Sequence, residues 1–174
     1  IVSEGVVLFD NGKFEFVESK PLAKEQEKEL AARHFNKWIT SGSRFLNITR
    51  NSLVEALKIN DPLNEVIFNL NQAAEKFYGG ILLVYTGYKP KTHKLKVYRK
   101  YSKHISEELN QLFKYPSGDA EEYRLFDILN NSYLDARYQD DYFIDAEDLK
   151  KLIGKVENLE KMALQLCESK IAAL

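Results

Sequence analysis

The stretch KFYGGILLVY, residues 76–85, is apolar on nearly every side of a helix, and it constrains the fold more than any other feature of the chain. A helix with one apolar stripe needs one neighbour, whereas a helix apolar all round must be surrounded by others. This segment therefore predicts a central, buried helix. Asp61-Pro62 supplies an N-cap and a first-turn proline for it, and Gly87 supplies a left-handed stop after Thr86. Gly79-Gly80 permits another helix to approach closely. A phosphate-binding loop is excluded there because no loop or strand precedes the glycines.

The rest of the chain is legible as the neighbours of that helix. Ala31, Phe35, Trp38, Gly42, Phe45, Thr49 and Leu53 recur at helical spacing, so residues 23–57 read as one long helix. A short helical piece is expected at 95–103, and Ser106 caps another, with Glu107 and Glu108 in its first turn. Asp119 and Glu122 form a capping-box-like start for a helix ending at Arg137. Asp145 and Asp148 repeat that device for the last helix, whose stripe is Leu149, Leu152, Ile153, Val156, Leu159, Ala163 and Leu166. Ahead of all this, EGVVLFDNGKFEFV places two β-like runs around Asn11-Gly12, a strong hairpin signal. A lone hairpin is marginal in water, so it must pair with something else. The expected fold is an all-α, up-and-down bundle of four to five helices, four of them main, with a short N-terminal β-hairpin arm. Residues 1–22 are expected to be that arm, or the tail of an upstream domain, and 23–174 the bundle.

At 174 residues the chain is long enough to bury a core without disulfides or metal. Its longest apolar run is far too short to span a membrane. The single cysteine, Cys167, allows no internal disulfide, suits a reducing cytoplasm, and falls on the apolar rhythm of the last helix. A first residue of Ile1 in place of Met predicts a fragment of a longer protein. The net charge of −1 conceals a division: from Lys76 to Ser106 there are eight Lys or Arg and no acid, which leaves 17 basic against 26 acidic residues elsewhere.

Three stretches offer chemistry. In FNLNQAAEKFY, Asn69, Asn71, Gln72 and Glu75 crowd one helix, with Asn71 and Glu75 four apart on one face. They are either a solvated stripe beneath a loop or a polar network holding Arg137 or His93. GYKPKTHKLKVYRKYSKH interleaves Lys89, Lys91, Lys94 and Lys96 and further cations with Tyr88, Tyr98 and Tyr101. It is either a solvated basic face or a surface that neutralises phosphates and stacks bases. YLDARYQDDYFIDAED sets Arg137 among tyrosines and Asp135, Asp140 and Asp141 where two helices meet. Asp135, Arg137 and Asp141 either form an ion-pair cluster that orders the turn, or hold the guanidinium toward an anion. A metal site is not expected: His34, His93 and His104 lie far apart with no partners at ligand spacing. Neither a catalytic-triad signature nor a dinucleotide-binding glycine pattern is present, and no cofactor is expected.

FNLNQAAEKFYGGILLVYTGYKPKTHKL, followed by LFDILNNSYLDARYQDDYFIDAEDLKKLIGKVENLEKM, resembles the HEPN (higher eukaryotes and prokaryotes nucleotide-binding) domain family over nearly all of residues 23–174. The resemblance implies a four-to-five-helix bundle that dimerises and stands behind or beside a nucleotidyltransferase domain. It also implies metal-independent RNA cleavage in many members, by an Arg followed after four to six residues by His. Arg137 stands where that Arg would, but the three eligible positions hold Tyr142, Phe143 and Ile144. Tyrosine, with an ordinary pKa near 10, shuttles protons poorly at neutral pH. The expectation is therefore a nucleotide- or RNA-binding homodimer, with Arg137, Tyr138, Asp141, Tyr142, Asn71, Gln72, Glu75, Lys91 and His93 as the ligand-binding set. The rivals are a ligand-free dimerisation module and a ribonuclease that uses Arg137 with a displaced base, His93.

Overall fold

The computed structural model describes residues 13, 22–114 and 119–174. Six helices follow in order: α1 (Lys24–Ile59), α2 (Asn64–Thr86), α3 (Leu95–Ser102), α4 (Glu107–Gln111), α5 (Ala120–Tyr138) and α6 (Ala146–Ala173). The fold expectation needs correcting in two respects. Six helices among the described residues replace four to five: the short pieces expected at 95–103 and after Ser106 both form, as separate helices beside the four long ones. No strand occurs among the described residues, and the hairpin expected around Asn11-Gly12 lies outside them except for Lys13. The all-α class stands.

α2 is the axis of the bundle, as its sequence demands. Fourteen of its 23 residues are buried, and α1, α3, α5 and α6 all pack on it. The close approach at its glycines is made by α1: a Cβ on Gly80 would stand 2.5 Å from Ile39 Cδ1 and 3.1 Å from Trp38 Cβ. The contact is reciprocal, since a Cβ on Gly42 of α1 would stand 2.6 Å from the Phe77 ring of α2. The close approach that the glycine pair permits and the cover that the all-round apolar surface requires are thus both supplied inside one chain.

Helix ends explain where boundaries moved. α1 runs on to Ile59 because Asn60 takes the left-handed conformation, φ 55°, and its N–H bonds to Ala56 O. Asp61 N–H bonds to the same carbonyl at 2.9 Å. Asp61 is thereby used in ending α1, so α2 begins at Asn64 behind Leu63, without a side-chain cap. Gly87, at φ 68°, ends α2 as expected. Ser106 Oγ accepts from Leu109 N–H and Asp119 from Glu122 N–H, as their spacing predicts. Asp145 caps α6 through Glu147 N–H, whereas Asp148 faces Arg124 on α5. No described helix is long and apolar enough to cross a membrane.

Candidate functional site: an arginine and a histidine on one tyrosine

Residues 88–94, between α2 and α3, fold back against α5. Asn130 Oδ1 on α5 accepts the Lys96 N–H at 3.0 Å, and Asn131 Oδ1 accepts from Lys94 Nζ at 3.3 Å. These bonds bring the His93 ring flat onto Tyr133, with centroids 3.9 Å apart and planes 7° from parallel. The other side of His93 is fixed by α2. Its Nδ1 lies 2.9 Å from Glu75 Oε2, and because a carboxylate only accepts, Nδ1 is the protonated nitrogen. Nε2 is then left for other partners.

Glu75 is buried in a fold of polar groups. Its other oxygen faces the Tyr98 hydroxyl at 3.4 Å, and that hydroxyl accepts from Lys89 Nζ at 2.9 Å. Burial first, and then the Glu75 carboxylate, push the Tyr98 phenol well above its usual value. Lys89 lies over Trp38 at 4.9 Å, which ties α1 into the same arrangement. Asn71, one turn before Glu75, donates to Leu129 O at 2.7 Å and so pins α2 to α5 just below Tyr133.

Arg137 stands one turn after Tyr133. Its guanidinium carbon is 5.2 Å from the Phe68 ring, 5.6 Å from Tyr133 and 5.1 Å from Tyr138. Phe68 and Tyr133 themselves meet at 5.9 Å. Thus Tyr133 is the ring that Arg137 and His93 share. Two clefts flank it. One, of about 340 Å³, is lined by Asn64, Glu65, Phe68, Asn69, Ala136 and Arg137. The other, of about 240 Å³, is lined by Thr92, His93, Lys94, Asn130, Tyr133 and Leu134. A third cleft, at the α1–α2 junction, contains Glu55, Asp61 and Glu65 and suits no anion.

Of the expected set, Arg137, Tyr138, His93 and Glu75 come together, directly or through Tyr133. Asn71 acts on the backbone of α5, and Lys91 is exposed beside Thr92 and His93. Gln72 Nε2 and Tyr142 OH are buried without a hydrogen-bond partner, as is Asn71 Oδ1, and Tyr142 lines a separate cleft with Phe143 and Ile144. Burial, and then Asp135, push the Tyr142 phenol up to about 12, so it carries no proton traffic at neutral pH. Among the described residues, Arg137 forms no ion pair with Asp135 or Asp141, so the acidic cluster read from the sequence is not what orders this turn. Phe68 and Tyr133 were missed, and Tyr98, read as a possible base-stacking ring, is instead fully buried against Glu75. Tyr133 was detectable as the residue four before Arg137, which shares its face; Phe68 carried no such signal.

Other chemistries find no support. No group of His, Cys, Asp and Glu able to hold a metal ion occurs among the described residues. Cys167 is buried, and that burial pushes its thiol up to about 12, so it is a core residue and not a nucleophile.

No curated protein matches the chain significantly. The sequence pattern of the HEPN domain matches residues 35–166, which include the whole of the Arg137–Tyr133–His93 arrangement, and the chain belongs to the HEPN domain family.

Proposed function

We propose that this HEPN bundle binds a nucleotide or RNA, with Arg137 as the group that holds a phosphate. One observation carries the reading. Arg137 is an exposed guanidinium backed by three aromatic rings and free of any acidic partner among the described residues. Such an arginine keeps its planar fork of donors available, and phosphate matches that fork. The rings beside it offer faces to a base. The homodimer and the upstream nucleotidyltransferase-like domain implied by the family belong to the same proposal, in which the bundle is the accessory part. Fluorescence titration of labelled ATP and labelled RNA against wild type and Arg137→Ala tests it. Saturable binding that weakens at least tenfold in the variant is expected; binding indifferent to Arg137, or none, favours the ligand-free dimerisation module.

A second reading, metal-independent RNA cleavage, is favoured by the contact of Arg137 and His93 with one tyrosine ring. A histidine oriented by Glu75, with Nε2 left over, has the makings of a proton shuttle. Incubation of single-stranded RNA with the protein in EDTA at pH 7 decides between the two. Cleavage abolished by both Arg137→Ala and His93→Ala would establish the ribonuclease; none above background is the outcome expected of a binder.

A further inference from the structure

We infer that the outer face of α3, with Lys96, Lys100, Lys103 and the Tyr88–Tyr101 pair, is a track for single-stranded nucleic acid that leaves the Arg137–Tyr133 clefts. The inference rests on the binding reading above and deepens it: the full ligand is a strand of several nucleotides, of which a mononucleotide fills only the Arg137 end.

The basic segment divides sharply once its partners are known. Three cations turn inward: Lys89 to Tyr98, Lys94 to Asn131, and Arg99, whose Nη2 donates to Asn110 O at 2.7 Å. Lys91, Lys96, Lys100 and Lys103 remain exposed, and their ammonium groups have no ion pair or hydrogen bond among the described residues. Lys96, Lys100 and Lys103 are spaced four and three apart, so they form one row along α3 and its C-cap. The nearest acids in sequence, Glu107 and Glu108, begin the next helix, and Glu107 is engaged by Gln111 at 2.7 Å. Like charges one turn apart repel by only about 0.2–0.5 kcal/mol each, and an anion bound along the row turns that repulsion into attraction.

Two further observations select the kind of anion. Tyr88 and Tyr101 are 54% and 50% exposed, and their rings meet at 6.2 Å and 52°, an open wedge with ring faces accessible to a base. Unpaired bases stack on such rings at about 1–3 kcal/mol each, whereas a duplex keeps its bases inside. A membrane surface fits poorly, because the apolar side of α3, Leu95 and Tyr98, is already buried in the bundle and none is left to insert. The row also starts at the right place. Lys96 is the residue whose N–H Asn130 accepts, and Asn130 lines the cleft that contains His93 and Tyr133.

The test uses the full chain with labelled ATP, a 12-mer of oligo(U), a 12-mer of oligo(dT), and phosphatidylserine vesicles. The proteins are wild type, Arg137→Ala, the triple variant Lys96→Gln, Lys100→Gln, Lys103→Gln, and the pair Tyr88→Ala, Tyr101→Ala. The triple variant should weaken the 12-mers at least tenfold, flatten the dependence of log K on log salt by roughly 2 for three lost phosphate contacts, and leave ATP binding as it was. The tyrosine variant should weaken the 12-mers without changing that slope. A preference between the two 12-mers assigns the sugar. If ATP binds in an Arg137-dependent way but the 12-mers bind no tighter than ATP, or ignore the lysines, the track falls and the Arg137 site stands. Lysine-dependent capture by vesicles without 12-mer binding overturns it in favour of a membrane surface. If wild type binds neither ATP nor 12-mer, the binding reading itself fails and the track with it.

Discussion

Helix α5 has an arginine near each end, and the two are used in opposite ways. Arg124 meets Asp148 with Nη1 and Nη2, at 2.6 and 2.9 Å, and Glu121 with Nε and Nη2, at 2.8 and 2.9 Å. Lys151 closes the group at 3.2 Å from Glu121. Arg137 has rings where Arg124 has acids. Helix polarity accounts for part of the difference. A cation in the first turns opposes the positive end of the helix dipole and needs acids beside it, whereas a cation in the last turn is favoured by the negative end. Arg137 can therefore stay exposed and unpaired at little cost to the fold. The comparison teaches that exposure alone does not mark a binding arginine, since the Arg124 side chain is itself 45% exposed. What marks it is a complete set of donors with nothing to accept them.

The largest effect that would break this comparison is on ligand binding. Arg137→Ala should lower affinity at least tenfold, about 1.4 kcal/mol or more, while its stability falls by no more than the few tenths to 1 kcal/mol owed to the dipole. Arg124→Ala should do the reverse, with binding intact and a lowered melting temperature. Titration and thermal melts on both variants read it. A fall in stability with Arg137→Ala equal to that of Arg124→Ala would make the two arginines alike and remove the distinction.

A smaller effect sharpens the role of the shared ring. Tyr133→Ala removes the surface on which His93 lies and against which Arg137 rests, and should weaken binding by roughly 1 kcal/mol, about fivefold. Tyr133→Phe retains the ring and should bind within twofold of wild type. If both variants lose equally, the hydroxyl and not the stack is what the ligand needs.

These residues also show how far sequence reasoning reached. The four long helices were legible from their apolar period, and Ser106, Asp119 and Asp145 as caps, because these are local signals. The N-cap expected at Asp61 was not, since that residue ends α1 and α2 starts behind Leu63 without one. Arg137 and His93 were legible as chemistry, and their proximity was not, because it depends on Asn130 and Asn131 holding the residues before α3 onto α5. The acids around Arg137 misled for a related reason. Spacing brought Asp135 and Asp141 close in the chain, but the helix ends at Tyr138 and the turn that follows bonds Tyr142 N–H to Gln139 O, which leaves the guanidinium to the aromatic face. Phe68, from α2, could be placed only by the packing of two helices far apart in sequence.

The smallest effect lies at the other end of the helix and in acid. Hydrogen bonds from Arg124 hold the Asp148 carboxyl below its ordinary value, against the opposing effect of burial. A carboxyl lowered in the folded state binds protons more weakly there than in the unfolded chain, so folding gains stability above the unfolded value, roughly 4. That gain is lost as pH falls through the lower folded value. Asp148→Asn keeps an acceptor but not the charge, so it lacks the gain at every pH. At pH 7 wild type should melt above the variant by at most about 1 kcal/mol, the scale of a partly exposed ion pair, or roughly 2–4 °C in a chain of this size. The gap should close as pH is taken below the carboxylate range, and shrink in high salt at pH 7. Arg137→Ala, with no acid to pair, should show no such convergence with wild type in that window. A gap between wild type and Asp148→Asn that persists unchanged into strong acid would mean that Asp148 acts through packing or its hydrogen-bond acceptor, and Arg124 would then no longer serve as the paired reference against which Arg137 is judged.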